Sequence, residues 1–181
     1  MARGAYSFDD FLISYKGGNK VAMDAAIAIK RCQGQFVYDT LKKLHDVIEW
    51  YVTTGKTYKN RKYNLSASIG GCVYYNGKPY EFDRTYSSGL HLTNPIYSGV
   101  KSRKPWRYKG VDYRGQDVIW SYLNHHDSLQ KGFSVVLAVG MPYGQFKNIK
   151  DMFNRFMALN PGIKLNFIPI RTAEGGFIYN E

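Results

Sequence analysis

Ile69-Gly70-Gly71-Cys72-Val73-Tyr74-Tyr75-Asn76-Gly77-Lys78-Pro79-Tyr80-Glu81-Phe82-Asp83 is the run on which the fold turns. Asn76-Gly77 separates two short stretches with apolar and aromatic residues, and both turn residues tolerate the positive φ of a two-residue hairpin. The pattern predicts antiparallel strands over Ile69–Tyr75 and Lys78–Asp83.

On the N-terminal side, Gly55 closes a long segment that reads as helix from Val21 to about Val52. It contains no proline and a single glycine, Gly34, and Val37, Leu41, Leu44, Ile48 and Tyr51 step by four, three, four and three. That spacing is one helical face. Thirty residues of helix span about 45 Å, more than a small sheet needs, so the sequence predicts a bend at Gly34 or a part that projects towards a partner. Before it, Gly17-Gly18 breaks the chain, Asn19 offers an N-cap, and residues 1–18 form a short amphipathic arm with Phe8, Phe11, Leu12 and Tyr15. Between helix and hairpin, Asn64-Leu65-Ser66-Ala67-Ser68-Ile69 reads as a turn or a helical step.

On the C-terminal side, Arg84–Tyr113 is rich in Ser, Gly, Tyr, Lys and Arg and has no sustained periodicity, which predicts a long loop or extended arm. Gln116–Asn124 reads as a short helix. Phe133–Val139 is an apolar, β-branched run suited to a central strand buried on both faces. A further helix starts near Asn148, with Ile149, Met152, Phe153, Phe156 and Leu159 as its stripe, and Ile163–Ile170 reads as a last strand. The order predicts an α+β fold: a small mainly antiparallel sheet with a long N-terminal helix and two shorter helices packed on one face.

The 181 residues, 44% of them hydrophobic, suit one domain over 1–181 with its own core. No apolar run approaches the roughly 18 residues of a membrane span, and Met1-Ala2-Arg3-Gly4-Ala5-Tyr6 lacks a secretory apolar segment, so a protein made and kept in a cytoplasm is expected. Cys32 and Cys72 have no C-x-x-C spacing and read as reduced packing residues.

The net charge of +11 is concentrated between Lys56 and Arg114, where twelve Lys and Arg face Glu81, Asp83 and Asp112 and leave +9. Tyrosines and Trp106 are threaded through the same stretch. Cations beside flat rings suit phosphate neutralisation with base stacking, or docking on a neighbouring protein. A solvated face that maintains solubility fits the same count. The residues expected to carry assembly or nucleic-acid contact are Arg84, Tyr97, Lys101, Arg103, Lys104, Trp106, Arg107, Tyr108 and Lys109, with Trp106 and Arg107 as anchors.

Motifs for catalysis are poorly represented. Gly17-Gly18-Asn19-Lys20 lacks the first glycine and the Ser/Thr of a phosphate loop, and Ser66-Ala67-Ser68-Ile69-Gly70 lacks the first glycine of a nucleophile elbow. His125-His126-Asp127, with His91 elsewhere, has no spacing for joint chelation by one helix face, and its histidines read as capping a helix end. No catalytic residue, metal or cofactor is expected.

The long N-terminal helix, the step Asn64–Ile69, the Tyr74-Tyr75-Asn76-Gly77 hairpin and Val135-Val136-Leu137-Ala138-Val139-Gly140-Met141-Pro142-Tyr143 together resemble the tail-completion, or type 1 neck, proteins of long-tailed bacteriophages. In that family a long helix precedes a Gly-x-Leu-x-x-Ser-Ile step into a hairpin, and a later apolar strand ends in a small residue, Pro and Tyr. The resemblance runs from about Val21 to Ile170. Asn64 stands where the family usually has glycine, Tyr143-Gly144-Gln145-Phe146-Lys147 lacks the acidic residue often found after the tyrosine, and Arg84–Tyr113 is longer than the family's loop.

What the resemblance implies is a non-enzymatic virion protein of the neck that joins the head connector to the tail, as part of a ring around the DNA path. Its implied partners are further copies of itself, the portal-side connector and the tail-terminator protein, with non-specific DNA contact as a second use of the lysines and no membrane. It would be in the host cytoplasm during assembly. The alternative is a nucleic-acid-binding module using the basic aromatic segment 56–114.

Overall fold

The structure, a computed structural model, describes residues 20–55, 63–82, 92–108, 110–125, 131–141 and 146–162. The arm 1–18 and the strand expected at Ile163–Ile170 lie outside the described residues.

Helix α1 runs unbroken through Gly34 from Lys20 to Trp50 and ends in a π-helical turn, Tyr51–Gly55. At that end the Thr53 and Thr54 hydroxyls donate to the carbonyls of Glu49 and Trp50, 2.8 Å each, offering the last turns a side-chain donor in place of a backbone one. A one-turn helix α2 (Asn64–Ala67) follows, entered through Tyr63 at φ 60°, and delivers the chain into β1 (Ile69–Tyr75).

Strand β1 is the centre of the sheet. Along one edge it pairs antiparallel with β6 (Phe133–Val139) over its whole length, from Ile69 opposite Val139 to Tyr75 opposite Phe133. Its other edge is shared end to end by β2 (Lys78–Pro79), opposite Tyr74 and Tyr75, and β3 (Ile96–Tyr97), opposite Gly70 and Gly71. The Asn94 side chain fills the gap between them at Val73. The second strand of the hairpin therefore stops at Pro79 rather than reaching Asp83, because β3 occupies the remaining edge. Asn76 and Gly77 make the turn at φ 51° and 85°, as the dipeptide predicts.

The twofold alternation of β1 explains the layering. Ile69 and Val73 project into a core with Val37, Leu41, Leu44 and Ile48 of α1, together with Met152 and Phe156 of α4 (Phe146–Ala158). Cys72 and Tyr74 project into a second core with Ile119 and Leu123 of α3 (Gly115–His125). Helices thus cover both faces of the sheet, not one. The strand buried on both faces is β1 rather than Phe133–Val139, whose residues are all half-buried.

Two adjacent glycines make this double cover close. A Cβ at Gly70 would sit 2.8 Å from Leu123 Cδ1 and 2.9 Å from the Ile96 carbonyl oxygen, and one at Gly71 would sit 3.3 Å from Leu44 Cδ1. On the α1 side, Lys43 Nζ donates to Asn160 Oδ1 at 2.8 Å, and the Arg155 guanidinium lies 4.5 Å from the centre of the Trp50 ring, which fixes α4 along α1. Leu159, expected on the buried stripe of α4, is exposed. So is Cys32, read from sequence as a packing residue, whereas Cys72 is buried.

The stretch expected to be a long structureless loop carries regular structure from Ile96 onwards. Besides β3 it forms a separate antiparallel hairpin, β4 (Trp106–Tyr108) with β5 (Val111–Tyr113). Strands this short lack the periodicity that would reveal them in sequence.

Candidate assembly and nucleic-acid contact surface

The basic surface is built on a small polar knot. Asn64 Nδ2 donates to the Lys104 carbonyl at 2.8 Å, the Gly115 amide donates to Ser102 Oγ at 3.0 Å and more weakly to Asn64 Oδ1 at 3.4 Å, and the Ser102 amide donates to Gln116 Oε1 at 3.1 Å. Asn64, Ser102 and Gly115 are buried. Gly115 must be glycine here, because a Cβ would collide with the Asn64 carbonyl. This arrangement joins α2, the chain at 101–104 and the start of α3 with every partner satisfied internally.

The side chains that flank the knot point the other way. Lys101, Arg103, Lys104 and Arg114 are all exposed. The Arg103 guanidinium lies 4.3 Å from the centre of the Tyr63 ring, a cation–π contact that holds it without consuming its charge. The sequence therefore places cations on a backbone fixed from beneath.

The neighbouring hairpin adds rings. Trp106 and Tyr113 are cross-strand partners with ring centroids 6.0 Å apart, and Gly110, just before β5, has φ 82°. Cross-strand aromatic pairs of this kind stabilise two-stranded hairpins. Arg107 stands opposite Asp112 with Nε 4.0 Å from Oδ1, and both side chains are largely exposed. Such a pair contributes little to stability, but it offsets part of the Arg107 charge.

Of the residues expected to form one contact surface, Lys101, Arg103, Lys104, Trp106 and Arg107 lie on this stretch, and Tyr108 is in β4. Tyr97 is not on the basic rim. It sits on β3, packed with the Cys72 and Tyr74 core, and its hydroxyl accepts from Asn124 Nδ2 at 2.8 Å. Burial raises its hydroxyl above the ordinary tyrosine range. Arg84 and Lys109 lie outside the described residues. Tyr63 and Arg114 belong to the basic aromatic segment 56–114 read from the sequence, but not to the nine residues singled out from it. Tyr63 gives no sequence signal of its contact with Arg103, forty positions away.

His125 closes α3, with Nδ1 2.9 Å from the Ser121 carbonyl and its ring edge-on to Trp120, as a helix-end histidine should be. His91, His126 and Asp127 lie outside the described residues. Among the described residues no group of three His, Cys, Asp or Glu could hold a metal ion, and no helix is long and apolar enough to cross a membrane. Comparison with protein-family models, with curated proteins and with solved structures found no match.

Proposed function

We propose that this chain is a structural subunit of a bacteriophage neck, joining the head connector to the tail as part of a ring around the DNA path, with no catalytic role. The observation that carries the reading is the junction between α1 and the first hairpin. Asn64–Ile69, the step through which the chain resembles tail-completion proteins, consists of a one-turn helix, Asn64–Ala67, that leads through Ser68 into β1 at Ile69.

Two of the three departures from the family pattern are connected in this chain. Asn64, where glycine is usual, is the residue whose side chain ties down Lys104 and Gly115, and so anchors the part of the molecule that is longer than the family's loop. An insertion of basic residues and the polar residue that holds it in place form one unit. On this reading, Lys101, Arg103, Lys104, Arg107 and Arg114 face either the neighbouring neck components or the passing DNA.

Electron microscopy of the purified protein and of particles from the same source tests the proposal. A ring, and density for the chain at the collar, are expected; a monomer absent from particles would end it.

A second reading, a nucleic-acid-binding module, is favoured by the exposed cations beside the Trp106–Tyr113 pair, which suits phosphate contact with base stacking. Titrations against single- and double-stranded DNA and RNA across salt decide it. Affinity must fall linearly on logarithmic axes, and absence of binding at low salt removes it.

A further inference from the structure

Strand β6 pairs on one edge with β1, and the ladder shows which of its backbone groups that pairing leaves over. The Asn76 amide donates to the Gly132 carbonyl at 3.0 Å and the Gly140 amide to the Ser68 carbonyl at 2.8 Å, one just before the strand and one just after it. Antiparallel ladders alternate, so Ser134, Val136 and Ala138 turn their amides and carbonyls to β1, while Phe133, Val135, Leu137 and Val139 turn theirs to the opposite edge. Among the described residues no strand pairs with that edge. It is seven residues long with no charge and no proline, the kind of edge that proteins cover.

The chain that follows β6 leads back towards the same edge. Helix α4 lies against α1 and β6. Its Arg155 meets Trp50 and the Asn160 beyond it meets Lys43, so it runs antiparallel to α1. Leu44 of α1 packs on Gly71, which is opposite Leu137, and Phe36 lies against Phe133. The direction from Trp50 through Lys43 to Phe36 is therefore the direction towards the Phe133 end of β6, and α4 delivers the chain at Gly162 heading that way. A strand that starts there and turns back along the sheet is parallel to β6. Strand, helix and parallel strand is the usual crossover unit, and Leu159–Gly162 is a connection of ordinary length for it.

We propose that Ile163–Ile170 is the strand that covers the outer edge of β6, parallel to it and within the same chain. Three features select this occupant. Ile163, Leu165 and Phe167 alternate with Lys164 and Asn166, the period of a strand with one face on a core, whereas Phe8, Phe11, Leu12 and Tyr15 of the N-terminal arm have helical spacing. Residues 163–170 also carry what an outermost strand needs: Lys164 discourages further pairing, and Pro169 is tolerated where its missing amide faces away from the sheet. By the same alternation, Lys164, Asn166 and Ile168 turn their backbone groups to β6. Finally, a second copy's strand competes with a tethered one, whose effective concentration is about millimolar. The inference is independent of the neck reading, and it removes this edge from the places where subunits can join.

Amide exchange of the full chain, followed by nuclear magnetic resonance, tests it. The Val135 and Leu137 amides should exchange within about tenfold of the Val136 and Ala138 amides. They should also show short proton contacts to residues 163–170, at full strength when isotope-labelled chain is diluted into a large excess of unlabelled chain. Asn166→Pro removes a donor that faces β6, and should speed exchange at Val135 and Leu137 at least about a hundredfold while Val136 and Ala138 stay slow. Rapid exchange of Val135 and Leu137 in the unsubstituted chain overturns the proposal. So do contacts that fade on dilution, which would put a second copy's strand on the edge, and contacts to residues 1–18 in place of 163–170. Protection that survives Asn166→Pro overturns it as well. If that variant unfolds, so that Val136 and Ala138 also exchange fast, the unsubstituted chain decides alone.

Discussion

Asn94 completes the backbone hydrogen bonding of Val73: its Oδ1 accepts from the Val73 amide at 3.1 Å and its Nδ2 donates to the Val73 carbonyl at 2.8 Å. The same Nδ2 donates to the Tyr80 carbonyl at 2.9 Å, so one side-chain amide acts as the missing peptide between β2 and β3. Asn94→Ala should cost about 1–3 kcal/mol, since it takes the acceptor from the buried Val73 amide, while the Val73 carbonyl keeps the Tyr80 amide. Urea denaturation measures it, as a lower midpoint with an unchanged slope. Asn94→Asp should be at least as damaging, because a carboxylate would face two carbonyl oxygens.

Gly70→Ala would place a methyl against Leu123, Ile119 and the Ile96 carbonyl at 2.8–3.0 Å, whereas Gly71→Ala meets only the flexible end of Leu44 and the Val136 carbonyl at 3.3 Å or more. The first should destabilise by about 1–3 kcal/mol and the second by clearly less. Thermal unfolding of the two variants side by side checks the order. Equal Tm values would show that α3 does not press on the sheet as described.

Asn64→Ala removes the donor to Lys104 and one acceptor of the Gly115 amide without altering charge. Amide exchange over 101–104 and at Gly115 should accelerate, by about tenfold for each 1.4 kcal/mol of lost local stability. The sheet core, probed at Cys72 and Val136, should be unaffected.

If the basic surface meets nucleic acid, each lysine that contacts a phosphate contributes about 0.9 to the salt slope on duplex DNA. Lys101→Ala with Lys104→Ala should then reduce the slope by about 2. Arg107→Ala should reduce it by less, because Asp112 already offsets that charge. Titrations at several salt concentrations read the difference.

Burial pushes the Cys72 thiol from 9.0 up to about 12 and raises the Tyr74 hydroxyl further above its ordinary value, through burial first and the neighbouring Cys72 second. These groups hold their protons in the folded state at pH values where the unfolded chain releases them. Stability should be full below about pH 9 and decline as pH rises towards 12, by about 1.4 kcal/mol per pH unit for each retained proton. Urea midpoints between pH 8 and 11 should show this, with a shallower decline in Cys72→Ala.

The elements legible in the sequence were those with strong local signals. Val37, Leu41, Leu44 and Ile48 announced the buried face of α1, Asn76-Gly77 announced its turn, and the class of fold followed. What stayed hidden depends on contacts between distant residues. Gly70 and Gly71 weaken a strand by propensity, and only Leu123 and Leu44 packed on either side explain why β1 is the middle of the sheet. Ile96–Tyr97 is too short to register as a strand, and Asn94 gives no sign that it stands in for a peptide. For the basic surface, charge was legible and support was not: Ser102 and Gln116 are ordinary polar residues until Gly115 and Asn64 come beside them.

The pairing of β1 with β6 also constrains how the chain reaches its native state. The strands lie about sixty residues apart, and most of the first core is synthesised before the partner that completes the central strand. On a ribosome, α1 and the first hairpin would emerge with one long edge of β1 open, a template for pairing with another nascent chain. Loop closure on this scale slows folding and favours completion only after the second half is released. Fragments ending before Phe133 should therefore be recovered in aggregates, while the whole polypeptide stays in solution.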